Sequence, residues 1–242
     1  MKKAIILKDV SFSYENNRKI LNRISLEIKS GSFLGVSGVN GSGKTTFTYL
    51  LNGLIPHIIK GELSGEVLVD GISTKSEKSG FFARRVGMVF QNPDFSIFNL
   101  TVREEVEFGL KNLKLGNRDQ RVKSALEACA ISGFEDRDPQ TLSFGEKQKV
   151  CLACAVALDT DYIVLDEPTA SLDYKSSTDL YKLLKSLNRK GKTIIVIEHD
   201  TEFLWQYARD VLILDKGNIA LYGNAHDIKR RKNELVKLGI KP

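Results

Sequence analysis

Gly38-Val39-Asn40-Gly41-Ser42-Gly43-Lys44-Thr45 reads G-x-x-x-x-G-K-[ST], and the residues on either side of it decide how the rest of the chain is read. Before it, Phe33-Leu34-Gly35-Val36-Ser37 is a short apolar run of the kind that forms a buried strand. After it, Thr46-Phe47-Thr48-Tyr49-Leu50-Leu51 spaces its apolar residues as a helix does. A strand, this loop and a helix in succession form the context in which the pattern makes a phosphate cradle. The glycines reach backbone conformations closed to other residues, so successive N–H groups can converge on an anion. The helix adds free N–H groups and the positive end of its dipole. Lys44 is placed to reach the β- and γ-phosphates of a nucleotide, and Thr45 to offer its hydroxyl to Mg²⁺.

Hydrolysis of a nucleotide also needs a carboxylate for the metal shell and a group that positions water. Tyr162-Ile163-Val164-Leu165 is an apolar run ending in Asp166-Glu167. Ligands of parallel sheets bind at the carboxyl ends of strands, which is where these acids fall. Asp166 is read as the metal-shell acid, acting through water. Glu167 is read as the group that orients or deprotonates the attacking water.

Further strands are expected within residues 4–14, at 24–28, 65–71, 86–90 and 193–197, and as a hairpin of 211–214 with 219–222 around Asp215-Lys216-Gly217-Asn218. From about residue 101 to 130 the pattern is helical, with Val102, Val106 and Leu110 on one face, then Val122, Ala125, Leu126 and Cys129. Leu142-Ser143-Phe144-Gly145-Glu146 opens a helix to about Leu158, and Ser143 and Glu146 stand at capping-box spacing. A helix over about 174–187 and a basic helical tail complete the pattern. Strands alternating with helices, several strands being wholly apolar, predict an α/β fold whose largely parallel sheet is covered on both faces. The expected layout is one domain: a core of residues 1–93 and about 159–242, with a helical lobe of about 94–158 inserted in it.

The 242 residues are 42% hydrophobic and 27% charged, which permits a sizeable core and argues against general disorder. A net charge of +6 suits anionic partners without choosing among them. The run Lys229-Arg230-Arg231-Lys232 reads as a solvated helix face. No stretch approaches the ~18 consecutive apolar residues of a membrane span, and the apolar run near Met1 is too short for a signal peptide. A cytosolic chain is expected, reaching a membrane only through a partner. Cys151 and Cys154 form C-x-x-C inside an apolar helical run with no second Cys/His pair nearby, so they read as packing residues.

Taken in order, these motifs resemble the nucleotide-binding subunit of ATP-binding-cassette (ABC) transporters over nearly the whole chain. The resemblance implies a P-loop NTPase core of RecA type with an N-terminal antiparallel β subdomain and an inserted helical lobe. It implies that Tyr14 stacks on adenine and that residues Gly38 to Thr46, including Val39, Asn40, Gly41, Ser42 and Gly43, hold the phosphates of ATP. It gives Gln91 the glutamine-loop role, touching metal and water and linking them to a transmembrane subunit. Asp166 and Glu167 match the Walker B acids, and His199 matches the switch histidine that contacts the γ-phosphate. Ser143, Phe144, Gly145 and Glu146 match the signature, and Asp173 the D-loop, both of which face the ATP of a second ABC ATPase subunit. The implied ligands are ATP and Mg²⁺. This signature departs from the usual Leu-Ser-Gly-Gly-Gln at Phe144 and Glu146. The opening of a helix at Ser143 is itself a suitable anion-binding end.

Residues 86–115 look like the ATPases of energy-coupling-factor importers, including the cobalt and nickel type. That branch implies uptake of a micronutrient, a metal ion or vitamin, at the cytoplasmic face of the membrane. The alternatives are a soluble ABC ATPase acting on nucleic acid or ribosomes, and a weakly hydrolysing ATP clamp. The first usually carries long coiled coils or two cassettes, which this sequence lacks, so no nucleic-acid partner is expected.

Overall fold

A computed structural model describes residues 3–15 and 19–242. Its centre is a six-stranded sheet ordered β10-β9-β3-β8-β7-β6. The strands are β3 (Phe33–Ser37), β6 (Val86–Val89), β7 (Tyr162–Asp166), β8 (Thr193–Ile197), β9 (Asp210–Asp215) and β10 (Asn218–Asn224). Strands β6, β7, β8, β3 and β9 run parallel, and β10 closes the edge as the antiparallel arm of the expected hairpin. A second sheet, ordered β2-β1-β4-β5 and antiparallel throughout, combines β1 (Ala4–Ser13), β2 (Lys19–Lys29), β4 (Glu62–Val69) and β5 (Ile72–Ser73).

Strand periodicity sorts the core into two layers, because successive side chains point to opposite faces. Leu34, Val36, Val164, Ile195 and Ile197 pack with the small sheet and with Phe47, Leu50 and Leu51 of α1 (Lys44–Leu51). Phe33, Ile163, Leu165, Ile194 and Val196 pack on the other face, against the helices. After α1 come the single turns α2 (Leu54–His57) and α3 (Ser79–Phe82). Three longer helices then lie together: α4 (Val102–Asn112), α5 (Arg118–Ala128) and α6 (Phe144–Ala157). Helix α7 (Tyr174–Arg189) bridges β7 and β8, α8 (Glu202–Tyr207) precedes β9, and α9 (Ala225–Arg230) and α10 (Lys232–Lys237) end the chain.

The expected helix faces are the buried ones: Val102, Val106 and Leu110 on α4, and Val122, Ala125 and Leu126 on α5. The helical pattern over 101–130 is carried by two helices, α4 and α5. The chain turns between them where Lys114 and Asn117 adopt positive φ, 53° and 56°. The basic tail likewise divides at Arg231, which pairs with Glu234. Cys129 and Cys151 are buried, and burial pushes both thiols up to about 12, which keeps them protonated and suits packing rather than redox chemistry.

Phe47 is fully buried between the two sheets. Phe47→Ala is expected to cost about 3–5 kcal/mol, read as a lower urea midpoint at unchanged slope.

Candidate functional site

The parallel order β3-β8-β7-β6 sets four strand ends side by side on one edge of the sheet. The glycine loop leaves β3, Glu198 and His199 leave β8, Asp166 and Glu167 end β7, and Gln91 comes just after β6. Residues scattered from 38 to 199 thereby meet at one carboxyl edge.

In the loop, Gly43 adopts φ 103°, and a Cβ there would lie 2.7 Å from Leu21 Cδ2. Helix α1 starts directly after it with no side-chain cap and no acid in its first turn, so its first N–H groups are open to an anion. The Ser42 hydroxyl is buried and has no hydrogen-bond partner. Lys44 is buried, and its Nζ donates to the carbonyls of Gly38 at 2.8 Å and Val39 at 3.3 Å. Burial lowers its pKa, and the charges of Glu167 and Asp166 oppose that shift.

Asp166 is buried and its Oδ1 has no partner. Burial raises its pKa, and Glu167 adds to the rise. A hydrogen bond from Thr45 and the charge of Lys44 oppose it. An orphaned carboxylate oxygen beside a threonine hydroxyl suits a small hard cation that keeps most of its water. Among the described residues no three His, Cys, Asp or Glu side chains form a closed metal cluster.

Glu167 has φ 47°, a left-handed conformation that costs energy in a residue with a Cβ. Its N–H donates to Ile197 O at 3.0 Å, which holds it there. Its Oε2 accepts from Gln91 Nε2 at 2.9 Å, and its Oε1 lies 3.2 Å from His199 Nε2. The same Nε2 is 3.4 Å from Lys44 Nζ. The tautomer with a proton on Nε2 donates to Glu167, and the other accepts from Lys44, so proton position selects which neighbour the ring holds. A cavity of about 590 Å³ opens beside this cluster, lined by Thr45, Tyr49, Phe90, Gln91 and Asp166 among others.

A profile of the ABC transporter family matches residues 21–170. The chain belongs to that family. It is 43% identical over 243 residues, 98% of this chain and 85% of the relative, to a Pyrococcus horikoshii protein provisionally named as an ABC transporter ATP-binding protein. CbiO1 of Clostridium perfringens, described as part of the ABC transporter complex CbiONQ, has 29% identity and a TM-score of 0.86, covering 98% of this chain and 94% of that one. A dimeric ATP-binding cassette in a post-hydrolysis state with ADP and Pi has 29% identity and a TM-score of 0.80, covering 91% of this chain and 98% of that one. The α/β architecture, with its parallel sheet and antiparallel β subdomain, is the P-loop NTPase fold of these ABC ATPase domains.

Elsewhere in this ABC ATPase, the Tyr14 hydroxyl lies 3.0 Å from Thr46 Oγ1 at the start of α1, and its ring meets Phe12 edge-on. Ser143 caps α6 as its spacing predicts. Its hydroxyl accepts from the Glu146 N–H at 3.3 Å, and the Glu146 carboxylate accepts from the Ser143 N–H and hydroxyl, both at 2.8 Å. Those bonds, with Arg137 nearby, hold Glu146 below its usual pKa. Phe144 is half-buried in the first turn. Gly145 packs near Leu172, and Asp173 caps α7 by accepting from Ser176 N–H at 2.7 Å, so the signature and the 171–173 segment share one surface. Among the described residues, no hydrogen bond joins that surface to the glycine loop of the same chain.

Three residues at the site escape a reading of the sequence. Gln148 on α6 donates to Gln91 O at 3.0 Å. Buried Glu105 accepts from the N–H groups of Phe98 and Asn99 and from the Asn99 amide, at 2.9–3.1 Å, and so orders the loop after Gln91. Glu198 is 3% exposed. Each is a polar residue in a helical or apolar run, and nothing in the sequence says which partner satisfies it. The one signal is the acid that directly follows the apolar run 194–197.

Burial pushes the Glu198 carboxyl from 4.5 up to about 8, with Thr169 opposing the rise and Glu167 adding to it. The folded value lies above the ordinary one, so this group's stabilising contribution is complete below about pH 4.5 and lost as pH rises through about 8. Glu198→Gln removes that titration. Between pH 5 and 9 its stability relative to wild type is expected to rise by on the order of 1–4 kcal/mol, measured by urea unfolding at each pH.

Proposed function

We propose that this ABC ATPase is the energy-supplying subunit of an energy-coupling-factor-type importer for a micronutrient, a metal ion or vitamin. The observation that carries the ATPase half of the reading is the convergence of Lys44, Asp166, Glu167, His199 and Gln91 on one sheet edge. The likeness to CbiO1, described as part of an ABC transporter complex, supports the importer half.

In the proposed mechanism ATP enters with its phosphates over residues 38–46. The free N–H groups at the start of α1 take the β-phosphate oxygens, and Lys44 exchanges its carbonyl partners for the β- and γ-oxygens. Tyr14 stands beside the adenine. Thr45, Asp166 and Gln91 would hold Mg²⁺, which when bound would supply positive charge to the phosphate oxygens. Glu167 accepts the proton of the attacking water. His199 supports the γ-phosphate, with the side-chain pair His199–Glu167 fixing both groups.

The signature on α6 and Asp173 complete the ATP site of a second subunit, which the likeness to a dimeric cassette supports. Helices α4–α6, within about residues 94–158, act as a lobe that passes motion to a transmembrane partner. An apolar surface beside Gln91 favours such a partner: Phe95, Phe98 and Leu100 are 89%, 62% and 81% exposed on the loop that Glu105 orders. A groove of about 340 Å³ between β6 and α6 adjoins it. No helix among the described residues is long and apolar enough to cross a membrane, so in this reading the chain sits at the cytoplasmic face, held by its partner.

Lys44→Ala is expected to abolish tight ATP binding in a calorimetric titration, and unchanged affinity would overturn the phosphate-loop assignment. Glu167→Gln is expected to keep ATP binding, reduce turnover about a hundredfold or more, and accumulate a closed dimer by light scattering. Wild-type turnover in that variant would remove Glu167 from the chemistry. Stimulation of the ATPase by DNA would favour a soluble role instead.

A further inference from the structure

Glu198 precedes His199 and has no part in the proposed hydrolysis chemistry. Four hydrogen bonds meet at it. Its N–H donates to Val36 O at 3.0 Å, and its carbonyl accepts from Ser37 Oγ at 2.7 Å, both on the strand that leads into the phosphate loop. Its Oε1 accepts from Thr169 Oγ1 at 2.7 Å and lies 3.5 Å from the Tyr181 hydroxyl. Thr169 is two residues past Glu167, in a segment closed on itself by Ala170 N–H to Glu167 O and Leu172 N–H to Thr169 O. Tyr181 is buried on α7, the helix that Asp173 caps. One side chain therefore touches the segment that runs from Glu167 to Asp173 and the helix beyond it. The backbone of the same residue is fixed to the phosphate strand.

An apolar side chain would fill this space without the cost of burying a carboxyl, but would leave Thr169 without its partner. The segment that Thr169 anchors begins at Glu167, whose left-handed backbone must be held from outside.

We propose that Glu198 is a positioning residue for ATP hydrolysis, holding the 167–173 segment and His199 in one register with the phosphate loop through its bond to Thr169. The inference rests on the ATPase reading and deepens it. A neutral carboxyl suits the role. The groups that face it are Glu167 at the end of β7, Tyr181 on α7 and the Ser37 hydroxyl from β3, with His199 and Asp200 on its own segment. None of the first three brings positive charge. Ionised Glu198 adds a second negative charge beside Glu167 and repels the group it positions.

The test compares the full-length chain with Glu198→Gln, Glu198→Ala, Thr169→Ser and Thr169→Val, reading kcat and KM for MgATP from pH 6 to 9 and ATP affinity by titration. Thr169 is half-buried in a loop, so its variants keep the test usable if Glu198→Ala does not fold. Glu198→Gln and Thr169→Ser are expected to hold kcat within about threefold at pH 7. Glu198→Ala and Thr169→Val are expected to lower kcat about tenfold or more with KM and ATP affinity little changed, the signature of lost transition-state positioning. Wild-type kcat is expected to fall above about pH 8, and Glu198→Gln to remove that fall. Folded Ala and Val variants with wild-type kcat, or a Glu198→Gln pH profile that superimposes on wild type, would overturn the proposal. Absence of ATP hydrolysis in wild type would instead overturn the reading on which it rests.

Discussion

Two backbone hydrogen bonds at the carboxyl edge of the central sheet hold the site together. Glu198 N–H reaches Val36 O, and Glu167 N–H reaches Ile197 O, each at 3.0 Å. Both extend the parallel ladder one residue past the strands proper, where loops would otherwise diverge. The end of β3, the end of β8 and the residue after β7 are thereby tied in sequence across the sheet. Lys44 and His199 can approach within 3.4 Å, and His199 and Glu167 within 3.2 Å, because the chains that carry them are already bonded. The apolar alternation below supplies the rigidity: Val36, Val164 and Ile197 face one layer, and Ile163, Leu165 and Val196 the other, so a one-residue slip would force each side chain into the opposite layer.

On that frame the electrostatics are held out of balance. Asp166, Glu167 and Glu198 stand at neighbouring strand ends with one buried lysine among them. Burial raises the pKa of Asp166 and Glu198 and lowers that of Lys44, so each charged form is disfavoured. Asp166 Oδ1 and Ser42 Oγ are buried without partners. Such groups are costly in a finished core and are accounted for where a ligand supplies what is missing. A polyphosphate with a divalent cation brings negative oxygens to Lys44, Ser42 and the N–H groups of α1, and positive charge to Asp166. These residues fit that ligand because each of its charges meets a group otherwise left uncompensated.

The fold is legible where one periodicity runs unbroken. The apolar runs at β3, β7 and β8, the Asp215–Asn218 hairpin and the capping box at Ser143 stand where their patterns place them. Turns inside helical stretches are harder to read, since Leu113 to Asn117 carries only one glycine and its bend rests on Lys114 and Asn117 accepting positive φ. The residues of the candidate site can be proposed from the sequence, but their contacts cannot. Lys44 opens the helix that follows an apolar strand, and Glu167 and His199 follow the ends of two others, whereas the Gln91–Glu167 bond and the contacts of Gln148 and Glu105 depend on tertiary neighbours. Glu198 is hidden in the sequence by the histidine after it, which carries the motif.

The signature end of α6 is built differently from the phosphate end of α1. Gly43 leaves α1 uncapped, so its N–H groups are free, while Ser143 is engaged twice over by Glu146, through its N–H and through its hydroxyl. Glutamine in the place of Glu146 could accept the same bonds without charge. Glutamate accepts them more strongly and is itself steadied by Arg137, 3.6 Å away. A phosphate from a second subunit, approaching this helix end as the proposed dimer requires, must compete with a carboxylate already bound there. In the proposed dimer the hydroxyl of Ser143 would turn from Glu146 toward that phosphate, and Arg137, 3.6 Å from the carboxylate, would draw it aside. On that proposal Glu146 bears on how the two halves close, and Lys44, Glu167 and His199 on the chemistry within each half.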